Sequence, residues 1–132
     1  MALSAVTHIN AIISDQDKAL AWYKEVLGAE VAGDNVFEWD GVSMRWLTVR
    51  LPGDGVEIVL MPPVPGPDGK APAVGDGNMV VLATDDCEGF VAHARSCGVE
   101  HVTDVEEMPW GKSTVIRDLD GNPYNIVEPP AA

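Results

Sequence analysis

The feature that most limits what this chain can fold into is a repeat of itself. Laying His8 over Asn78 carries the stretch ending at Gly28 onto the stretch ending at Gly98 without a gap, and apolar runs, acids and glycines coincide. A unit repeated in this way is one supersecondary motif that packs against its own copy.

Each copy reads as a strand followed by a helix. In the first, Thr7 to Ser14 is β-prone, Asp15 is a helix N-cap, Leu20, Tyr23 and Leu27 share a helical face, and Gly28 ends the helix. In the second, Asn78 to Thr84 is the strand, Asp85 the cap, Phe90, Ala94 and Cys97 the buried stripe, and Gly98 the stop.

Three further strands are expected after each glycine. In the first copy they are Glu30 to Ala32 or Phe37 to Trp39, then Ser43 to Leu51, then Val56 to Met61. Gly33-Asp34-Asn35, Asp40-Gly41 and Gly53-Asp54-Gly55 supply the turns. In the second they are Glu100 to Val102, Ser113 to Arg117 and Tyr124 to Val127. Between the copies, Pro62 to Asp76 holds five prolines and three glycines, which rules out helix and central strand. The expected fold is therefore α+β: a single domain over 1–132, with one βαβββ module at 5–62, a Pro/Gly-rich linker at 63–76 and a second module at 77–130. A four-stranded sheet with one helix has one covered face and one open face, and two such sheets can form a cup.

Charge and composition narrow the partners. With 21 acidic and 8 basic residues the formal net charge is −13, which repels nucleic acid and anionic membrane surfaces. No apolar run approaches the ~20 residues of a membrane span, and the N-terminus has no secretory pattern, so a cytoplasmic location is expected. Cys87 and Cys97 are expected to be free, mostly buried thiols.

Strand alternation sorts the side chains. Ile9, Ala11, Ile13, Leu47, Val49 and Leu51 belong under the helix. His8, Asn10, Ile12, Met44, Trp46, Thr48, Glu57, Val59 and Met61 then face the cup, joined from the second copy by Asn78, Val80, Leu82, Asn125 and Val127. Trp39 and Trp110 fall at the rim, whereas Trp22 lies on the first helix as a core or dimer contact. Walls of Trp and Met with a few neutral amides suit a flat, greasy molecule.

His8 followed seven residues later by Asp15, then Ala-Leu-Ala-Trp-Tyr-Lys-Glu-Val-Leu-Gly at 19 to 28, resembles the opening module of the vicinal oxygen chelate superfamily, which contains glyoxalases, bleomycin resistance proteins and extradiol dioxygenases. Arg117-Asp118-Leu119-Asp120-Gly121-Asn122 resembles that superfamily's Asp-Pro-Asp-Gly-Asn turn, with Leu119 in place of Pro. The resemblance covers nearly the whole chain and constrains fold more than function, because the superfamily includes lyases, dioxygenases, epimerases and non-catalytic drug binders.

Metal-dependent members hold a divalent ion with up to four His, Glu or Gln side chains. The resemblance puts His8 at the first ligand position, and the repeat puts Asn78 at its counterpart. Asn125 stands where the last ligand is usually Glu, and Glu57 or Met61 is left for the remaining position. His8 and Glu57 with two neutral amides would make a weak site by charge count. No metal, cofactor or catalytic residue is therefore expected, and a metal-free general-base role for His8 finds no orienting partner in the sequence.

The resulting expectation is a metal-free protein that sequesters a hydrophobic, aromatic compound such as an antibiotic. Its ligand-binding residues are His8, Asn10, Trp39, Met44, Trp46, Thr48, Met61, Asn78, Trp110 and Asn125, and the resistance branch of the superfamily implies a homodimer. The alternatives are a glyoxalase-like lyase or isomerase using a weakly bound divalent ion, and a metal-free biosynthetic accessory protein. They are separated by metal analysis and by turnover, respectively.

Overall fold

The computed structural model describes residues 2–53, 55–65, 68–75 and 79–130. Strand β1 (His8–Ile12) leads into helix α1 (Gln16–Leu27), followed by β2 (Glu30–Trp39), β3 (Val42–Arg50) and β4 (Glu57–Met61). The second copy supplies β5 (Val80–Ala83), α2 (Cys87–Ser96), β6 (Glu106–Met108), β7 (Gly111–Arg117) and β8 (Pro123–Glu128). The sheets have matching orders, β1-β4-β3-β2 and β5-β8-β7-β6. In each, the first strand runs parallel to the last and the other pairings are antiparallel. The chain is thus the α+β pair of βαβββ modules that its repeat implies. Among the described residues no helix is long and apolar enough to cross a membrane.

Helix α1 begins and ends where its sequence dictates. Asp15 caps it by accepting from the Lys18 N–H, and Gly28 closes it in the left-handed conformation that glycine adopts without a Cβ penalty. The second copy departs by one residue. Asp86, not Asp85, caps α2 by accepting from the Gly89 N–H. The shift matters because Val80 and Leu82, not their neighbours, then occupy the core-facing places of Ile9 and Ala11. Helix α2 ends at Ser96 and is capped by Cys97, so one residue fewer lies between Asp86 and Gly98 than between Asp15 and Gly28, which brings the two glycines back into step.

Two other strands differ from expectation. Gly33-Asp34-Asn35 is not a turn, because β2 runs through it with a bulge between Val31 and Gly33. Arg45 on β3 grips the Asp34 carboxylate through two nitrogens at 2.8 and 2.9 Å and so holds the stretch against its neighbour. Glu100 to Val102 is not a full strand; only Val102 bridges to Ile116. Backbone bonds from the Thr103 N–H to the Val115 carbonyl and from the Arg117 N–H to the His101 carbonyl flank that bridge, and Thr103 adds to them, its Oγ1 accepting from the Val115 N–H while Thr114 Oγ1 donates to its carbonyl.

The two modules share one core. Ala11, Leu47, Val49, Ile58 and Leu60 from the covered face of the first sheet belong to the same buried cluster as Ile116, Tyr124 and Ile126 from the second, with Tyr23, Val26 and Ala94 of the helices. Trp22 is part of this core. The helix-covered faces therefore look toward each other, and the uncovered faces look outward.

Candidate functional site

The uncovered face of the first sheet forms a hollow of about 360 Å³ lined by Asn10, Ile12, Phe37, Trp39, Met44, Trp46, Val59, Met61, Pro62, Val64 and Pro72. Strand alternation places these side chains together: the pairing of β1 with β4 aligns Asn10 with Val59 and Ile12 with Met61, and that of β2 with β3 aligns Phe37 with Met44. Phe37 meets the Trp46 ring edge-on at 6.5 Å. Trp39 is 66% and Trp46 36% exposed, so the aromatic wall is open to a molecule from outside. The volume falls at the small end of ligand pockets.

Of the residues expected from sequence, Asn10, Trp39, Met44, Trp46 and Met61 line this hollow. His8 and Thr48 lie beside it on the same face, where they join Glu57. Thr48 is fully buried and donates to Glu57 Oε1 at 2.6 Å; Glu57 Oε2 lies 3.6 Å from His8 Nε2. His8 Nδ1 is 2.9 Å from Thr7 Oγ1, and its ring tilts against Trp46 at 5.8 Å. The acidic group nearest His8, not evident in the sequence, is thus Glu57, within ion-pair range but outside hydrogen-bond reach.

The structure does not bring the remaining residues to the hollow. Asn125 sits in the other sheet, donating to Ser113 Oγ at 2.6 Å and to the Thr114 carbonyl. Trp110 occupies the turn between β6 and β7 and is 54% exposed. Val80 and Leu82 pair with Tyr124 and Ile126 and pack on the core, contrary to the expected cup-facing placement. Asn78 lies outside the described residues.

Sequence reasoning missed Phe37 and the three linker residues. The alternation of Phe37 with Trp39 was a usable signal, hidden by reading Gly33-Asp34-Asn35 as a break. Pro62, Val64 and Pro72 carry no such signal, because a chain doubling back over a sheet leaves no period. Gly75 anchors the far end of that crossing, its N–H donating to the Ile12 carbonyl at 3.1 Å.

The donor set for a divalent ion can now be placed. Matching the two sheets by register puts Val59 opposite Asn125 in the duplication, since Asn10 pairs with Val59 as Val81 pairs with Asn125. The one-residue phase makes Met79 the counterpart of His8. His8, Val59, Met79 and Asn125 contain one good ligand for a hard or borderline divalent ion, and these residues do not fit one. Among the described residues no three His, Cys, Asp or Glu side chains converge on a common point. Cys87 and Cys97 are free, and burial pushes the Cys87 thiol up from its usual range.

Comparison with known proteins gives the same architecture. Residues 5–126 match the model of the "Glyoxalase/Bleomycin resistance protein/Dioxygenase superfamily". TnmS3, an antibiotic binding protein from Streptomyces sp. CB03234, is 30% identical with a TM-score of 0.80, covering 98% of this chain and 99% of its own. A Sphaerobacter thermophilus member of the superfamily is 33% identical with a TM-score of 0.79, covering 96% and 98%. A lactoylglutathione lyase from Agrobacterium tumefaciens shares the fold at 22% identity and a TM-score of 0.66, covering 96% and 94%.

Proposed function

Since the chain belongs to the glyoxalase/bleomycin resistance protein/dioxygenase superfamily, we propose that it is a metal-free member that captures a hydrophobic, aromatic small molecule such as an antibiotic. The observation that carries this reading is the hollow walled by Phe37, Trp39, Trp46, Met44 and Met61, at positions where alternation gives each ring or thioether a free face. Stacking and desolvation favour a flat apolar guest there, and His8 with Glu57, without a third ionisable donor converging on them among the described residues, leaves little to hold or activate an ion. The likeness to TnmS3 over nearly the full length of both chains supports capture over turnover.

The reading includes a second copy of the chain. One side of the hollow is open, while the uncovered face of the second sheet presents Val81, with Met79, Met108 and Trp110 exposed beside it. Two chains related by a twofold axis would lay that face of each over the hollow of the other, bringing Trp110 and Asn125 to the guest between chains and covering apolar surface on both. Two equivalent sites per dimer follow.

The test is titration of the purified protein with a panel of flat aromatic natural products, read by tryptophan fluorescence, alongside metal analysis of protein prepared without chelator. Saturable quenching at one guest per chain, with the guest recovered unchanged, is the expected result. A panel without quenching, or one firmly held divalent ion per chain together with turnover, overturns it.

A further inference from the structure

The face that carries the hollow is graded along its strands. Register puts His8, Glu57 and Arg50 in one row, then Asn10, Val59 and Thr48 in the next. Beyond them come Ile12 with Met61, and then Met44 with Phe37. Charge is gathered at one end and aromatic surface at the other. From Glu57 to Met61 the strand covers roughly 13 Å, the length of a fused-ring body with one substituent.

Glu57 is the unfinished element of the charged end. Its Oε1 accepts from Thr48 at 2.6 Å, while the nearest basic atom to Oε2, His8 Nε2, lies 3.6 Å away, beyond hydrogen-bond reach. Arg50, opposite it across the ladder, makes no ion pair with it among the described residues. A carboxylate offers about four acceptor sites, and one held in place by Thr48 beside an apolar hollow gains most from another donor.

We propose that the guest is amphipathic: a flat aromatic body on Trp46 and Phe37, and at one end a hydrogen-bond-donating head, hydroxyl or ammonium, that binds Glu57 Oε2. This assignment rests on the capture reading above and adds the polarity and orientation of what is captured. Glu57 sets specificity, Thr48 positions it, and a guest ending in a carboxylate is excluded by like charge.

The test uses four probes of one ring system: naphthalene, naphthol, naphthylmethylammonium and naphthoate, each titrated into the wild-type protein and into Glu57→Gln, Thr48→Val and Trp46→Ala. Naphthol and naphthylmethylammonium are expected to bind wild type about tenfold more tightly than naphthalene, with naphthoate weakest. Added salt weakens only the ammonium probe, which separates the two kinds of head. Glu57→Gln is expected to remove most of the donor advantage, and Thr48→Val to reduce it while keeping its sign. If Glu57→Gln does not fold, the wild-type ranking decides alone. Quenching that Trp46→Ala abolishes, with naphthalene bound as well as the donors, overturns this assignment and leaves the capture reading standing. A donor advantage undiminished in Glu57→Gln overturns it too, and no quenching by any probe overturns both.

Discussion

Tyr23 Oη donates to Asp118 Oδ2 at 2.6 Å, joining the helix of the first module to the turn that follows β7 in the second. The same carboxylate accepts from the backbone N–H groups of Asp120 and Asn122 and from Asn122 Nδ2. Tyr124 Oη stands 2.7 Å from Tyr23 Oη, and the two rings meet edge to face. Asp118, Tyr23 and Tyr124 are all buried, so this cluster is a polar clasp inside the shared core, with its bonds made on both sides of the module boundary.

Tyr23→Phe removes the hydroxyl that bridges Asp118 and Tyr124 while keeping the ring. The expected cost is about 1–3 kcal/mol, that of leaving a buried partner unsatisfied. Urea denaturation should show a lower midpoint with an unchanged slope.

Alkaline pH acts on the same clasp. Burial, followed by the neighbouring Tyr124 and Asp118, holds the Tyr23 phenol well above its usual value, and burial likewise raises Tyr124. A phenol whose pKa rises on folding stabilises the fold fully below the unfolded value of about 10, and that contribution is lost as pH climbs toward the folded value. Stability should therefore decline above about pH 10, with delayed tyrosinate absorbance, and the decline should be shallower in Tyr23→Phe.

Trp46→Ala should weaken any quenching aromatic guest by about tenfold or more, the loss of one stacking face and its buried area. Because Trp46 is partly exposed, its far-ultraviolet circular dichroism should match wild type. Unchanged affinity would mean that the guest sits elsewhere.

Pairing of chains is checked by sedimentation. The wild-type protein should run at twice the mass of one chain. Val81→Asp, which places a charge on the exposed uncovered face of the second sheet, should run at the single-chain mass and bind guests more weakly. A wild-type protein that stays single at high concentration refutes the proposed assembly.

Gly75→Ala tests the linker crossing. Gly75 has φ +75°, and a Cβ there would run into the Asp120 carbonyl oxygen. A loss of roughly 1–3 kcal/mol is expected, seen as a lower melting temperature, with a weaker hold of Pro62, Val64 and Pro72 over the hollow.

Much of this architecture was legible because it rests on local rules. Asp15 and Gly28 bound a helix by capping chemistry, and a period of two puts Asn10, Met44, Trp46 and Met61 on one face. The slip between copies was not legible, because Asp85 and Asp86 are adjacent and either can cap a helix; only the observed hydrogen bond from Gly89 distinguishes them. That one residue turns Val80 and Leu82 from hollow to core, since a strand shifted by one step exchanges its faces. The placement of Glu57 beside His8 and the crossing of Pro62, Val64 and Pro72 depend on register and on chain path, which no single segment encodes.

The one-residue slip also bears on how easily this scaffold could change trade. A relative gaining an ion site from this starting point would have to replace Val59, Met79 and Asn125 with donors, and no one of those replacements alone would give a complete set around His8. On the proposed capture reading, adaptation by single steps is thus confined to reshaping the hollow, and novelty in this lineage should arise as altered appetite for ligands before it arises as new chemistry.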